Sequence, residues 1–141
     1  FAGRQAVSML RVLFREAARA DADTLVRACL AQRGVEVFHN SQGVEGLCLL
    51  LIAKPGQDAL HAACDEVRRL LPGAQVKLRE NLAALLALCR TTREVPKLAA
   101  AMESAGVPVH HLVQTPPGAL FCVNDSQYET ALRAAYALAF G

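Results

Sequence analysis

The chain has 141 residues, 53% hydrophobic and 20% charged, so it can bury a core and is not a disordered segment. Its net charge of +2, with basic residues such as Arg68, Arg69, Lys77 and Arg79 scattered among acids, gives no footing for a nucleic-acid partner. No apolar run approaches the ~18–20 residues of a membrane span and no signal-peptide pattern opens the chain, so a cytoplasmic protein is expected, with Phe1 reading as the start of an excised segment.

Residues Val7 to Phe14 are mainly apolar and read as a strand. After a small polar link from Ala17, Asp21 caps a helix whose stripe is Ala22, Leu25, Val26, Cys29 and Leu30, and Gly34 ends it. Val35 to Ser41 alternates, with Val35, Val37 and His39 expected on one face, and Gln42–Gly43 turns the chain. Gly46 to Ala53 reads as a buried strand, broken by Lys54–Pro55–Gly56. The next helix places Leu60, Ala63, Cys64, Val67, Leu70 and Leu71 on one side and stops at Pro72–Gly73. Ala74 to Glu80 alternates as a strand.

The series then restarts. Leu82 to Cys89 is an almost wholly apolar strand, expected to be covered on both faces. Thr91-Thr92-Arg93-Glu94 fits a capping box for a helix carrying Val95, Leu98, Ala99, Met102 and Ala105, which Gly106 stops. Val107 to Gln114 is a strand, Pro116–Pro117–Gly118 a turn, and Ala119 to Val123 another strand. Asn124–Asp125–Ser126 opens a last helix with Tyr128, Ala131, Leu132, Ala135 and Leu138 inward.

Both halves therefore read strand, helix, strand, strand, helix. Gly34-Val35-Glu36-Val37-Phe38-His39-Asn40-Ser41-Gln42 lies against Gly106-Val107-Pro108-Val109-His110-His111-Leu112-Val113-Gln114, with Gly, Val, Val, His and Gln coinciding at one constant offset. Cys48 and Cys122 fall at similar places in the strands that follow. Duplication explains this best. The order βαββαβ is the ferredoxin-like unit, so an α+β fold of two such modules is expected, at 1–80 and 81–141, with antiparallel sheets and helices packed on one face. The second half lacks its final strand, which the first few residues or a partner chain would have to supply.

Little chemistry of other kinds is legible. None of the five cysteines forms a C-x-x-C pair or sits at zinc-like spacing from a histidine, and free, buried thiols in a reducing compartment are expected. His39 and His111 are repeat-equivalent and read as strand residues at a packing surface. His110 and His111, as neighbours on a strand, point apart, so no metal site is expected. There is no glycine-rich phosphate loop or nucleophile elbow, Cys64 beside His61 reads as core, and neither a catalytic residue nor a cofactor is assigned.

The glycine between helix and strand, the tandem copy and a closing helix with Tyr136 and Phe140 together resemble the paired ACT domains of aspartokinases, over nearly the whole chain. Gly34, the apolar alternation and Gln42 match that family's usual first-module strand, while Glu36, Phe38 and Gly43 replace its Asn, Asp and final Asn. The resemblance implies a regulatory region, dimeric through its ACT modules and passing allosteric feedback control to an upstream kinase domain, that binds an amino acid where a helix start meets a strand, often at an interface between modules. A helix start offers free N–H groups to a carboxylate. In the first module this points to Arg19, Asp21, Ala22, Asp23 and Thr24, with Glu36, Val37 and Gln42 opposite. In the second it points to Thr91, Thr92, Glu94 and Val95, with Val107 and His110. The acids favour a ligand with extra positive charge, lysine first and threonine second. The competing readings are a ligand-independent dimerisation module and a stand-alone ferredoxin-like enzyme or nucleic-acid binder. The sheet-borne aromatics that an RNA-stacking surface needs are missing.

Overall fold

The computed structural model describes residues 1–14, 19–42, 46–53, 56–89, 91, 93–115 and 118–140. They form an α+β fold: β1 (Ala2–Leu13), α1 (Arg19–Gln32), β2 (Val35–Gln42), β3 (Gly46–Ala53), α2 (Gln57–Leu70), β4 (Gln75–Leu88), α3 (Glu94–Ser104), β5 (His111–Thr115), β6 (Gly118–Asn124), a 3-10 turn (Asp125–Gln127) and α4 (Tyr128–Phe140). The hydrogen-bonded strand order is β2-β3-β1-β4-β6-β5. The expected link and turn residues Ala17, Gly43, Lys54–Pro55 and Pro116–Pro117 lie outside the described residues.

Two compact units emerge, one continuous (Ser8–Glu80) and one split (Phe1–Val7 with Asn81–Gly141). β1 and β4 each pass from one unit into the other, so each unit draws on four strands. The separate strands expected at 74–80 and 82–89 are thus one strand, β4, and β1 begins at Ala2 rather than Val7. Ala2 to Ala6 are all exposed and carry no apolar alternation, which is why the sequence hides this stretch. Within β1 and β4, Ala6 and Asn81 have positive φ, 56° and 58°. Asn tolerates that left-handed region, whereas Ala pays roughly 1–2 kcal/mol for it.

In the continuous unit, the helix stripes meet one sheet face. Leu10, Val12, Leu47, Leu49 and Leu51 pack on Val26, Leu30, Leu60, Ala63, Cys64 and Val67. In the split unit, Leu85, Phe121 and Val123 pack on Val95, Leu98, Met102, Ala131 and Ala135. Each fully buried large aliphatic side chain contributes about 1.5–3 kcal/mol, so these clusters dominate stability. The surface ion pair between Arg33 and Glu66 (2.9 Å) adds at most about 1 kcal/mol. Both helix-stopping glycines hold as expected, with φ of 70° at Gly34 and 82° at Gly106.

The two segments aligned from the sequence depart from their expected placement in two respects. A register shift between Val37 and His39 makes Phe38 an extra residue, so His39 pairs with Leu50 while Val37 pairs with Leu51. Val37 therefore faces the helices and His39 the other side, against the single-face expectation. The split unit repeats the device: the His110 N–H donates to the Cys122 carbonyl at 2.8 Å while His111 stands opposite that same residue. The register also shows that Cys122 corresponds to Leu50, not to Cys48, which stands opposite Ser41. β5 is correspondingly shorter than expected, starting at His111.

Gly46 and Gly118 open β3 and β6 opposite Leu13 and Leu88. A Cβ on Gly46 would come within 2.6 Å of the Val12 carbonyl oxygen, and one on Gly118 would overlap the Ala87 carbonyl. Backbone cannot swing aside as a side chain can. Gly46→Ala and Gly118→Ala should each cost about 1–3 kcal/mol, read as a lower urea midpoint at unchanged slope.

Candidate functional site

The residues singled out from the sequence divide into three groups. Ala22, Val95 and Val107 are buried in the cores and serve packing. Arg19 and Asp21 lie in the first turn of α1 and Gln42 closes β2, but their side chains, like the whole of Thr92, lie outside the described ones. The remainder are placed with their surroundings. Asp23 is half-buried and accepts a bond from Arg27 Nε at 2.8 Å, so its charge is already answered one turn along α1. Thr24 and Glu36 are exposed, and Val37 packs against the core.

Geometry within one unit separates helix starts from strand starts. α1 runs directly into β2 through Gly34, so Glu36 and Val37 stand beyond the far end of α1 from Asp21 to Thr24, which lie about 12–17 Å along the helix axis from Gln32. The same holds for α3: Thr91 and Glu94 sit at its start, while Val107 and His110 follow its end. There His110 Nε2 bonds Asn124 Oδ1 at 2.8 Å, Asn124 donates to Gln127 at 3.0 Å, and Gln127 donates to the Gly106 carbonyl at 2.9 Å. This chain locks the α3–β5 turn to the start of α4 and makes His110 a positioning group for the fold.

The expected capping box does not form. The cap position of α3 is Arg93, in helical conformation and without a side-chain cap, and Thr91 contributes its carbonyl, which accepts the Glu94 N–H at 3.2 Å. Beside this uncapped start lies a half-open groove of about 530 Å³. It is lined by Phe1, Leu88, Cys89, Glu94, Lys97, Leu98, Leu138 and Ala139, all of the split unit. Glu94 alone of these was singled out from the sequence. Leu98 and Leu138 read there as helix-core residues, and Leu88 as the end of a buried strand, yet Leu88 is 69% exposed. No periodicity signals a strand residue that protrudes past its partners.

All five cysteines are free thiols; Cys29, Cys64 and Cys122 are buried, Cys48 and Cys89 half-buried. Burial pushes the Cys64 thiol up to about 11 and raises Cys29, Cys48 and Cys89 as well, and at Cys89 the Glu94 carboxylate adds to the rise. None of these four is an activated nucleophile. His61 pairs with Glu80 at 2.7 Å, away from any role with Cys64. Among the described residues, no three His, Cys, Asp or Glu converge as a metal site, and no helix is long and apolar enough to cross a membrane.

No protein-family model matches the sequence, nor does any curated protein. Solved structures do match the fold. A crystal structure of Clostridium acetobutylicum aspartate kinase superposes with a TM-score of 0.83 at 15% identity, over 96% of this chain and 33% of that one. The regulatory subunit of aspartate kinase from Thermus flavus matches with a TM-score of 0.75 at 21% identity, over 96% of this chain and 94% of that one. E. coli aspartokinase III in complex with lysine and aspartate matches with a TM-score of 0.70 at 16% identity, over 99% of this chain and 32% of that one. The chain spans about a third of the length of the whole kinases and nearly all of the isolated regulatory subunit. The fold is that of the regulatory regions of aspartate kinases.

Because the Cys64 thiol is neutral and raised in the folded state, its contribution to stability is complete below its ordinary value of 9.0 and is lost as pH rises towards about 11. Urea unfolding at pH 8, 9.5 and 11 should show stability falling across that window, and falling less in Cys64→Val. Alkylation of Cys64 at pH 8 should track global unfolding.

Proposed function

We propose that this chain is the effector-binding regulatory region of an aspartate kinase, with each unit acting as one ACT-type module. One observation carries the reading: the fold matches an isolated aspartate-kinase regulatory subunit from end to end, and only the corresponding third of whole kinases. The thiol chemistry supports it, since buried, raised cysteines suit a sensor better than a thiol enzyme. An upstream kinase domain receives the signal. The effector must bind one of two conformations better than the other, because only differential affinity moves the equilibrium. The protein works in the cytoplasm, as part of aspartate-family amino-acid synthesis.

Lysine is the first effector expected and threonine the second, at the start of α1 in the continuous unit. The lysine preference rests on Asp21 and Asp23, and a lysine ammonium would compete with Arg27 for Asp23. Glu36, exposed and remote from its own helix start, is available to a site completed by a second copy of the chain, whereas Val37 packs against the core. Edge strands favour such a dimer: Phe38 on β2 and Leu112 on β5 are 38% and 39% exposed. The same exposure favours the second reading, a dimerisation platform that binds no ligand.

A thermal-shift panel of the twenty amino acids at millimolar concentration, with light scattering alongside, separates the two. A ligand at 100 times its Kd stabilises by about 2.7 kcal/mol, and a saturable rise in Tm with lysine or threonine is expected. A dimer whose Tm ignores all twenty overturns the sensing role and leaves the platform.

A further inference from the structure

We infer that a row of side chains crossing the continuous unit, on the sheet face turned away from α1 and α2, is an anion site that takes a small phosphate monoester. This goes beyond amino-acid sensing and does not rest on it. Ser41 on β2 stands opposite Cys48 on β3, and Cys48 stands opposite Arg11 on β1. The chain neighbours Leu10, Val12, Leu47 and Leu49 face the helices, so Cys48 and Arg11 face away from them, as does Ser41, two residues past His39. β4 lies on the other side of β1. Its Val76 and Leu78 pack against the helix cluster, which turns Lys77 to the same face as Arg11. Arg11 stands three residues past Ser8 and Lys77 three residues before Glu80, the two limits of this unit, so they come level on neighbouring strands.

The row is thus hydroxyl, thiol, guanidinium and ammonium, all hydrogen-bond donors. Arg11 and Lys77 are exposed, Ser41 and Cys48 half-buried. Arg11 and Ser41 both hydrogen-bond the Cys48 thiol, which tethers the guanidinium to the sheet and leaves most of its five N–H groups for a ligand. Neither Arg11 nor Lys77 enters an ion pair among the described residues. The carboxylate borne on this face by the described strands is Glu36, opposite Ile52 and about 13 Å along β3 from Cys48. Two positive charges on strands about 5 Å apart converge on one doubly charged group, and a guanidinium fork with a hydroxyl suits the oxygens of a phosphate. A free amino acid fits badly, because its ammonium would sit against Arg11 and Lys77. The next row, Met9 and Leu50, is buried, so the ligand lies over the polar row alone and is small.

Calorimetry on the whole chain at constant ionic strength, with glycerol phosphate, adenosine monophosphate and succinate as probes, tests the ligand class. At least one of the two monoesters should bind, and succinate should bind at least tenfold more weakly. Cys48 reports the place. Its alkylation, followed by mass spectrometry with Cys89 as internal control, should slow at least fivefold under the bound monoester while Cys89 keeps its rate. The surface variants Arg11→Gln and Lys77→Gln should each weaken the monoester at least tenfold and leave Tm and any lysine or threonine response unchanged. Silence of both monoesters overturns the site and leaves the sensing role standing. Succinate binding as tightly overturns the phosphate class. Monoester binding that survives both substitutions, or that shields Cys89 as much as Cys48, lies elsewhere on the chain and overturns the site as well.

Discussion

Two strands carry the architecture. β1 and β4 each lend one half to the continuous unit and the other half to the split unit, so neither four-stranded set is complete without both. Backbone strain sits at Ala6 and Asn81, whose φ is positive inside these two strands. Ala6 recovers part of it, because its N–H donates to Asp125 Oδ1 at 3.3 Å. The stretch before it is fitted as closely: any side chain at Gly3 would overlap the Tyr128 ring, and Phe1 packs edge-on against Tyr136 with centroids 4.8 Å apart.

Around that frame, stability comes from apolar burial, and the polar groups set register and turns. The His110–Asn124–Gln127 chain and the bulges at Phe38 and His110 show the division of labour. Each bulge lets the first residues of the segment face the helices and then rotates His39 or His111 to the opposite side. His39 Nε2 is buried there without a hydrogen-bond partner among the described residues, a cost the edge strand bears.

The sequence made the helices legible through their stripes and their glycine stops, Gly34 and Gly106. It concealed features that leave no periodic trace. A one-residue bulge inverts every later side chain while the apolar alternation looks unbroken, which misplaced His39. An exposed edge segment such as Ala2 to Ala6 has no buried face to write a pattern. The candidate site was half legible: Thr91 and Glu94 do mark a helix start beside a groove, but Leu88, Lys97 and Leu138 come to it from elements that read as ordinary core and surface. Pairing Val107 and His110 with that start failed because a helix carries its two ends apart.

The split unit also dictates an order of assembly. Ser8–Glu80 is one uninterrupted stretch, and it can collapse on contacts near in sequence. Its companion cannot finish until Phe1–Val7 meets residues synthesised after the whole intervening unit, a long loop to close. During synthesis Phe1–Val7 must wait for Asn81–Gly141 while the stretch between them matures.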